Sequence, residues 1–226
     1  MHVVIAGGHG KIGRRLGRLL VGRGDVVTAL IRNPDHREEL LADGLSPLVL
    51  DLERATAAEL TPHLAGADAV VFAAGAGPGS GAARKYTVDR DAAVLLADAA
   101  VAAGVRRYLM ISTRGAGSPP PPGADEIWSA YVDAKTAADE HLIGTDLDWT
   151  VLRPASLTDA PGTGTVRLTA GRSVGDITRD DVAALLVALL DTPASAGLVL
   201  EAAEGPDPVA EAVGRAAAER TGAVRG

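Results

Sequence analysis

The chain contains no cysteine, which excludes disulfides, thiolate metal sites and a cysteine nucleophile together. Aromatic residues make up 3% of it, one Phe, two Trp and three Tyr. That is too few for the stacking platforms that read single-stranded nucleic acid. Positive charge is in deficit: 22 Lys and Arg against 29 Asp and Glu leave a net charge of −7. This argues against a general binder of nucleic acid or of an anionic membrane. Long apolar runs are missing as well, since Val182 to Leu190 falls far short of the ~20 residues that a bilayer span needs. The histidines, at 2, 9, 36, 63 and 141, match no metal-ligand spacing, and no metal is expected. Met1-His-Val-Val-Ile runs straight into glycines without the basic and apolar regions of a secretory leader. A cytoplasmic protein with a small-molecule ligand is expected.

What remains is a soluble globular composition, 47% hydrophobic and 23% charged over 226 residues, with room for one domain and its core. Strand and helix patterns alternate along it. Val3 to Ala6 is a short apolar run stopped by Gly7-Gly8, as expected of a strand buried on both faces. Ile12, Leu16, Leu19 and Leu20 then recur at helical spacing. Further strands are predicted at 25–31, 48–50, 69–73, 108–112 and 149–152. Helices are predicted between them at about 33–42, 56–64, 83–103 and 131–143. Such alternation requires right-handed crossovers and a parallel sheet covered on both faces, a doubly wound α/β domain. After Pro154 the pattern loosens, with strands at 166–168 and 198–200, a helix capped by Thr178, and a last helix at 209–218. This stretch reads as a small substrate-facing lobe, and Thr221 to Gly226 as a frayed end.

The first strand-to-helix turn reads Gly7-Gly8-His9-Gly10-Lys11-Ile12-Gly13. In that G-x-x-G-x-x-G spacing Gly7 allows a tight turn, Gly10 lets a pyrophosphate approach the backbone, and Gly13 lets the helix pack closely on the sheet. The helix N-terminus adds free N–H groups and partial positive charge. NAD-binding folds place an acidic residue about 20 positions further on. Here Arg32 stands instead, able to grip a 2′-phosphate in bidentate fashion, so NADP is favoured over NAD. A second glycine-rich stretch, Gly75 to Gly81, is not a P-loop, because Ala82-Ala83 stand where Lys and Ser/Thr are required. It is expected to be a loop beside the cofactor.

Tyr131 and Lys135 give Tyr-x-x-x-Lys on a predicted helix. Residues i and i+4 share a face, so phenol and ammonium are expected side by side. A neighbouring cation lowers a phenol's pKa toward a range where it exchanges protons with a substrate oxygen. Ser112 and Thr113 end the fifth strand and bring hydroxyls to the same pocket.

Gly7 to Gly13, Ser112-Thr113, Tyr131 with Lys135, and Leu152-Arg153-Pro154, in this order, resemble the short-chain dehydrogenase/reductase superfamily in its extended and atypical branch. Within that branch the chain looks most like compact bacterial NAD(P)H-binding proteins labelled sugar epimerase or dehydratase. Ala73-Ala74-Gly75, Val88-Asp89-Arg90 and Ile177 to Ala183 add to the resemblance, which covers Met1 to about Val213. It implies that Gly7, Gly10 and Gly13 hold the pyrophosphate and Arg32 the 2′-phosphate. Asp51 and Leu52, at the end of the third strand, would flank the adenine, and Ala73, Ala74 and Gly75 would lie along the ribose. Tyr131 would be the general acid/base, with Lys135 bonding the nicotinamide ribose. Ser112 or Thr113 would orient the substrate oxygen, and Pro154, Ala155 and Ser156 would meet the nicotinamide.

Two departures stand out. Arg114 takes the place of a third small hydroxyl residue, and a polyproline run spans 115–123 as a surface loop or lid. The short substrate lobe suits a small substrate. The expected organisation is one NAD(P)-binding domain over 1–220, with core 1–154 and lobe 155–220, as a monomer or as a homodimer through the 83–103 helix. The expected activity is NADP-dependent hydride transfer to or from a small carbonyl or alcohol. The alternatives are a non-catalytic redox-sensing regulator of the NmrA-like kind, an NAD(P)-dependent epimerase or isomerase, and a flavin or quinone reductase. Fold alone does not choose among them.

Overall fold

The computed structural model describes residues 1–77, 79–119 and 123–223. Its first unit is strand β1 (His2–Ala6), helix α1 (Lys11–Gly22) and strand β2 (Val26–Ile31). A 3₁₀ turn at Pro34–His36, opened by the Asn33 side chain accepting the Asp35 N–H, leads into α2 (Arg37–Ala42). Then come β3 (Ser46–Val49), α3 (Ala57–Leu64) and β4 (Ala69–Phe72). Thr56 and Glu59 close a full capping box at the start of α3.

Next stand α4 (Ala82–Arg84), a π-helical segment at Lys85–Asp91, α5 (Ala92–Ala103), β5 (Arg107–Ile111), α6 (Glu126–Ile143) and β6 (Asp148–Pro154). The last part holds β7 (Ser156–Thr158), β8 (Thr165–Thr169), β9 (Asp176–Thr178), α7 (Arg179–Leu190), β10 (Leu198–Glu204), β11 (Asp207–Pro208) and α8 (Val209–Ala223).

The main sheet has the order β11-β8-β10-β6-β5-β4-β1-β2-β3. Strands β1 to β6 and β10 run parallel, while β8 and β11 are antiparallel to their neighbours. Alternation along β1 explains the two layers. Val3 and Ile5 join the core with Leu16 and Leu20 of α1 and Val182, Leu185, Leu186 and Leu189 of α7. Val4 and Ala6 point the other way, into a core with Leu60 and Leu64 of α3 and Leu96 and Ala100 of α5. Both faces are thus buried, as the unbroken apolar runs foretell. The chain turns from β3-β2-β1 outward to β4-β5-β6, so the strand order reverses between β1 and β4, the crevice where such sheets bind ligands.

The expected single helix at 83–103 is interrupted. A π segment lies between α4 and α5, and Lys85 and Asp89 on it are both buried. Helix α6 begins at Glu126, ahead of the expected Tyr131, because the Asp125 carboxylate caps it by accepting the Trp128 N–H at 3.0 Å. Past Pro154, β10 continues the main sheet beside β6, while β7 and β9 pair as a small ribbon standing apart from it. That ribbon was not foreseen, since three-residue strands carry too little pattern. Helix α8 continues through Ala223 into the stretch expected to fray; residues 224–226 lie outside the described ones, as do Pro78 and Pro120 to Pro122 of the two loops singled out above. Among the described residues no helix is long and apolar enough to cross a membrane. No group of three or more His, Asp or Glu among them is placed to hold a metal.

Candidate cofactor and active site

The glycine turn is dictated by space. Gly7 has φ +77°, and a Cβ there would lie 2.7 Å from Ala74 Cα. A Cβ on Gly13 would stand 2.4 Å from the Gly7 carbonyl oxygen, and one on Gly8 2.5 Å from Ala29 Cβ. The N–H groups of Gly7 and Gly8 donate to Leu30 O at 3.2 and 3.1 Å, locking the turn to β2. Gly10 is the N-cap of α1 and brings no side chain to cap it. The first-turn N–H groups are therefore left for an anion.

From that turn a cleft of about 310 Å³ runs over the ends of β1, β2 and β4. Of the sequence-predicted cofactor residues it is lined by Gly7, His9, Gly10, Arg32, Asp51, Leu52, Ala73, Ala74 and Gly75. Asp51 and Leu52 stand beyond β3, which stops at Val49. The shape and lining fit a dinucleotide's adenosine half, with its phosphates at Gly10.

The remaining predicted residues are placed otherwise. Gly8, Ile12 and Gly13 pack inward behind the turn, and Lys11 pairs with Asp159 across to the C-terminal part. Pro154 ends β6, Ala155 N–H donates to Ala202 O at 2.8 Å, and Ser156 N–H donates to Gly175 O at 3.2 Å.

Arg32 is not alone at the cleft. Its Nη1 donates to Glu53 Oε2 at 2.9 Å, and Arg84 Nη2 donates to the same oxygen at 2.7 Å. Thr87 Oγ1 donates to Glu53 Oε1 at 2.7 Å. The Arg84 bond outweighs partial burial and, with Thr87 and Arg32, holds the Glu53 carboxyl down at about 2. His9 and His36 stack with ring centroids 3.5 Å apart, and both line the cleft. Sequence reading missed Glu53, Arg84 and His36. Arg84 belongs to a helix of three residues behind the glycine loop, and only the fold carries it to Arg32.

On the neighbouring strand end, the π segment and α6 meet in matched register. Lys85 lies over the Tyr131 ring, with Nζ 5.3 Å from its centroid, and donates to Gly77 O at 3.0 Å. One turn on, Lys135 Nζ stands 3.4 Å from Asp89 Oδ1 and donates to Ile111 O at 3.0 Å, 5.1 Å from the centre of the Phe72 ring. Tyr131 and Lys135 do share a helix face. The cation over the phenol ring, however, is Lys85, while the Lys135 ammonium is turned inward to Asp89. Asp89 in turn accepts the Ala76 N–H at 3.2 Å. Its sign in the sequence was the Val88-Asp89-Arg90 stretch, which gave no role.

The two hydroxyls after β5 also part company. Ser112 Oγ donates to Asp139 Oδ2 at 2.8 Å, the oxygen that Arg153 holds with Nε at 3.0 Å and Nη2 at 2.9 Å. Burial pushes the Asp139 carboxyl up, against the pull of Arg153 and Ser112. The Thr113 hydroxyl, 6% exposed, has no hydrogen-bond partner among the described residues. Beyond Thr113, Arg114 opens a second cavity of about 260 Å³, walled by Trp128 and Val132 of α6.

Residues 7–193 match the model of a family described as NAD(P)H-binding. A Bacillus subtilis relative named uncharacterized sugar epimerase YhfK is 34% identical over 214 residues, covering 94% of this chain and 99% of its own. A Bacillus halodurans structure described as an NAD-dependent epimerase/dehydratase is 32% identical with TM-score 0.87, covering 95% and 99% of the two chains. The Lactococcus lactis oxidoreductase ylbE follows at 26% identity and TM-score 0.83, with 95% and 96% coverage. Turn, cleft and relatives agree: the chain belongs to the NAD(P)H-binding family of Rossmann-like proteins, akin to its epimerases and oxidoreductases.

Proposed function

We propose that this protein is an NADP-dependent oxidoreductase acting on a small carbonyl or alcohol. The observation that carries the reading is the Asp89 bridge. Ala76 borders the dinucleotide cleft, Lys135 lies one turn from Tyr131, and the Asp89 carboxylate ties the two together. Cofactor cleft and tyrosine helix are thereby fixed over adjacent strand ends, β4 and β5.

The nicotinamide, when bound, supplies or accepts the hydride. Arg32 and Arg84 bind the 2′-phosphate, exchanging part of their hold on Glu53 for it. Gly10 and the open first turn of α1 take the pyrophosphate. As the carbonyl carbon gains the hydride, Tyr131 passes its proton to the carbonyl oxygen, and the reverse holds for the alcohol. Lys85 over the ring face holds the phenol in position. The free hydroxyl of Thr113 orients the substrate oxygen, and Lys135 holds α6 in place through Asp89.

The inward turn of Lys135 favours a second reading, hydride delivery without a tyrosine, as in a flavin or quinone reductase. The epimerase name of the Bacillus subtilis relative brings a third, in which hydride leaves and returns within one bound cofactor. Calorimetric titration with NADP, NADPH, NAD and NADH tests the cofactor. Arg32→Ala and Arg84→Ala should each weaken NADP(H) about tenfold and spare NAD(H). Equal effects on both pairs would overturn the NADP assignment. Tyr131→Phe should keep NADPH affinity and lose roughly 10²–10⁴-fold in carbonyl reduction. Undiminished turnover selects the tyrosine-free reading, and cofactor retained through purification without net redox change selects the epimerase.

A further inference from the structure

The second cavity carries an inference of its own. Its lining includes Arg114 and Arg172, and neither guanidinium has a carboxylate partner among the described residues. Among the described residues Arg14, Arg15, Arg18, Arg23 and Arg153 are paired with carboxylates, while Arg37, Arg107 and Arg167 share the lack of one. Among the described residues the Arg114 guanidinium makes one hydrogen bond, a long one of 3.5 Å to Gly175 O. Trp128 and Val132 form an apolar wall on the α6 side. Opposite them, Ser173 is 8% exposed and its Oγ is buried without a partner. The Ser173 N–H donates to Glu201, itself 6% exposed, at 2.5 Å.

We infer that this cavity is the substrate subsite and that it selects a small carboxylate, held by Arg114 and Arg172 with its apolar body against Trp128. Two unpaired guanidiniums above one cavity favour an anion, and their planar forks match a carboxylate. Glu201 also lines the cavity and accepts the Ser173 N–H, so one carboxylate stands against two guanidiniums and the balance stays positive. Ser173 Oγ offers the hydrogen bond that an orphaned buried hydroxyl lacks. The volume of about 260 Å³ suits a compact acid rather than a nucleotide-sugar. Position supports the assignment: Arg114 directly follows Thr113, and the Trp128 and Tyr131 rings lie 5.7 Å apart. A molecule bound here therefore lies beside the proposed proton donor. The inference deepens the oxidoreductase reading and rests on it for the reaction, while the binding stands separately.

Trp128 is a built-in reporter once Trp149, the second tryptophan, is changed to Phe. Benzoate should quench the fluorescence of Trp149→Phe protein loaded with NADP, whereas neutral benzamide at the same concentration should not. Adding Arg172→Ala or Arg114→Ala should weaken benzoate binding about tenfold each. Arg172 lies on the surface, so that variant should fold, and circular dichroism checks it. Equal quenching by benzoate and benzamide, or none by either, overturns the inference. In the turnover arm, NADPH should reduce 4-carboxybenzaldehyde with at least tenfold higher kcat/KM than its neutral methyl ester. Benzoate binding without reduction of any aldehyde leaves the acid subsite standing and removes the oxidoreductase reading. Equal kcat/KM for acid and ester does the reverse.

Discussion

Lys135 and Asp89 face each other at 3.4 Å in the interior, 3% and 1% exposed, one from α6 and one from the π segment. Neither charge reaches solvent, so each depends on the other and on backbone groups, Ile111 O for the ammonium and Ala76 N–H for the carboxylate. Removing one partner leaves a buried charge uncompensated, at a cost of about 3–5 kcal/mol. Asp89→Ala should thus lower the urea midpoint sharply, while Asp89→Ala with Lys135→Met should recover part of the loss. Additive losses in that double-mutant cycle would show the two groups to be uncoupled.

Glu53 gives an acid-sensitive element to the cofactor cleft. Its carboxyl titrates at about 2 in the folded chain against 4.5 ordinarily, chiefly through Arg84. A depressed carboxyl contributes stability above its unfolded pKa and loses it as the pH falls toward the folded one. Stability should therefore drop between pH 4.5 and about 2, with a shallower drop in Glu53→Gln, measured by urea unfolding at stepped pH. The same variant releases Arg32 and Arg84 and should tighten NADP(H) relative to NAD(H).

Ser112 and Thr113 should answer differently to truncation. Ser112→Ala removes a donor from the buried Asp139 carboxylate and should cost about 1–3 kcal/mol of stability. Its effect on KM should be small. Thr113→Val keeps the shape and should leave the melting temperature nearly unchanged. It should lower kcat/KM about tenfold or more, the loss of one hydrogen bond to a reacting oxygen.

Gly13→Ala is the sharpest test of the turn. The new methyl would meet the Gly7 carbonyl at 2.4 Å, and backbone cannot move aside as a side chain can. Both thermal stability and dinucleotide affinity should fall. By contrast Gly22→Ala meets nothing within 4 Å and should be neutral or mildly stabilising.

Much of this was legible in the residues. The strand of Val3 to Ala6, the glycine spacing and Arg32 follow from local pattern, because strand, turn and helix each announce themselves within a few positions, while Asp51, Leu52 and Ala73 to Gly75 came only from the family resemblance. Contacts between distant segments did not. Nothing in Lys85 or Asp89 tells that a π turn aims both at α6, or that Asp139 and not a substrate takes the Ser112 hydroxyl. The pairing of Glu53 with Arg84 spans 31 positions. Arg114 was noticed only as a departure, and Arg172 lay in a stretch without periodicity.

The two outermost strands of the main sheet, β3 and β11, hold four and two residues, and each contains a proline, Pro47 and Pro208. A proline lacks the N–H that an incoming strand would need, and short edges give little length for pairing. Both rims are therefore poor templates for adding foreign chain, which guards the protein against edge-to-edge aggregation. Pairing through the rims of the main sheet is thus disfavoured at both ends by the same two means, brevity and a missing donor.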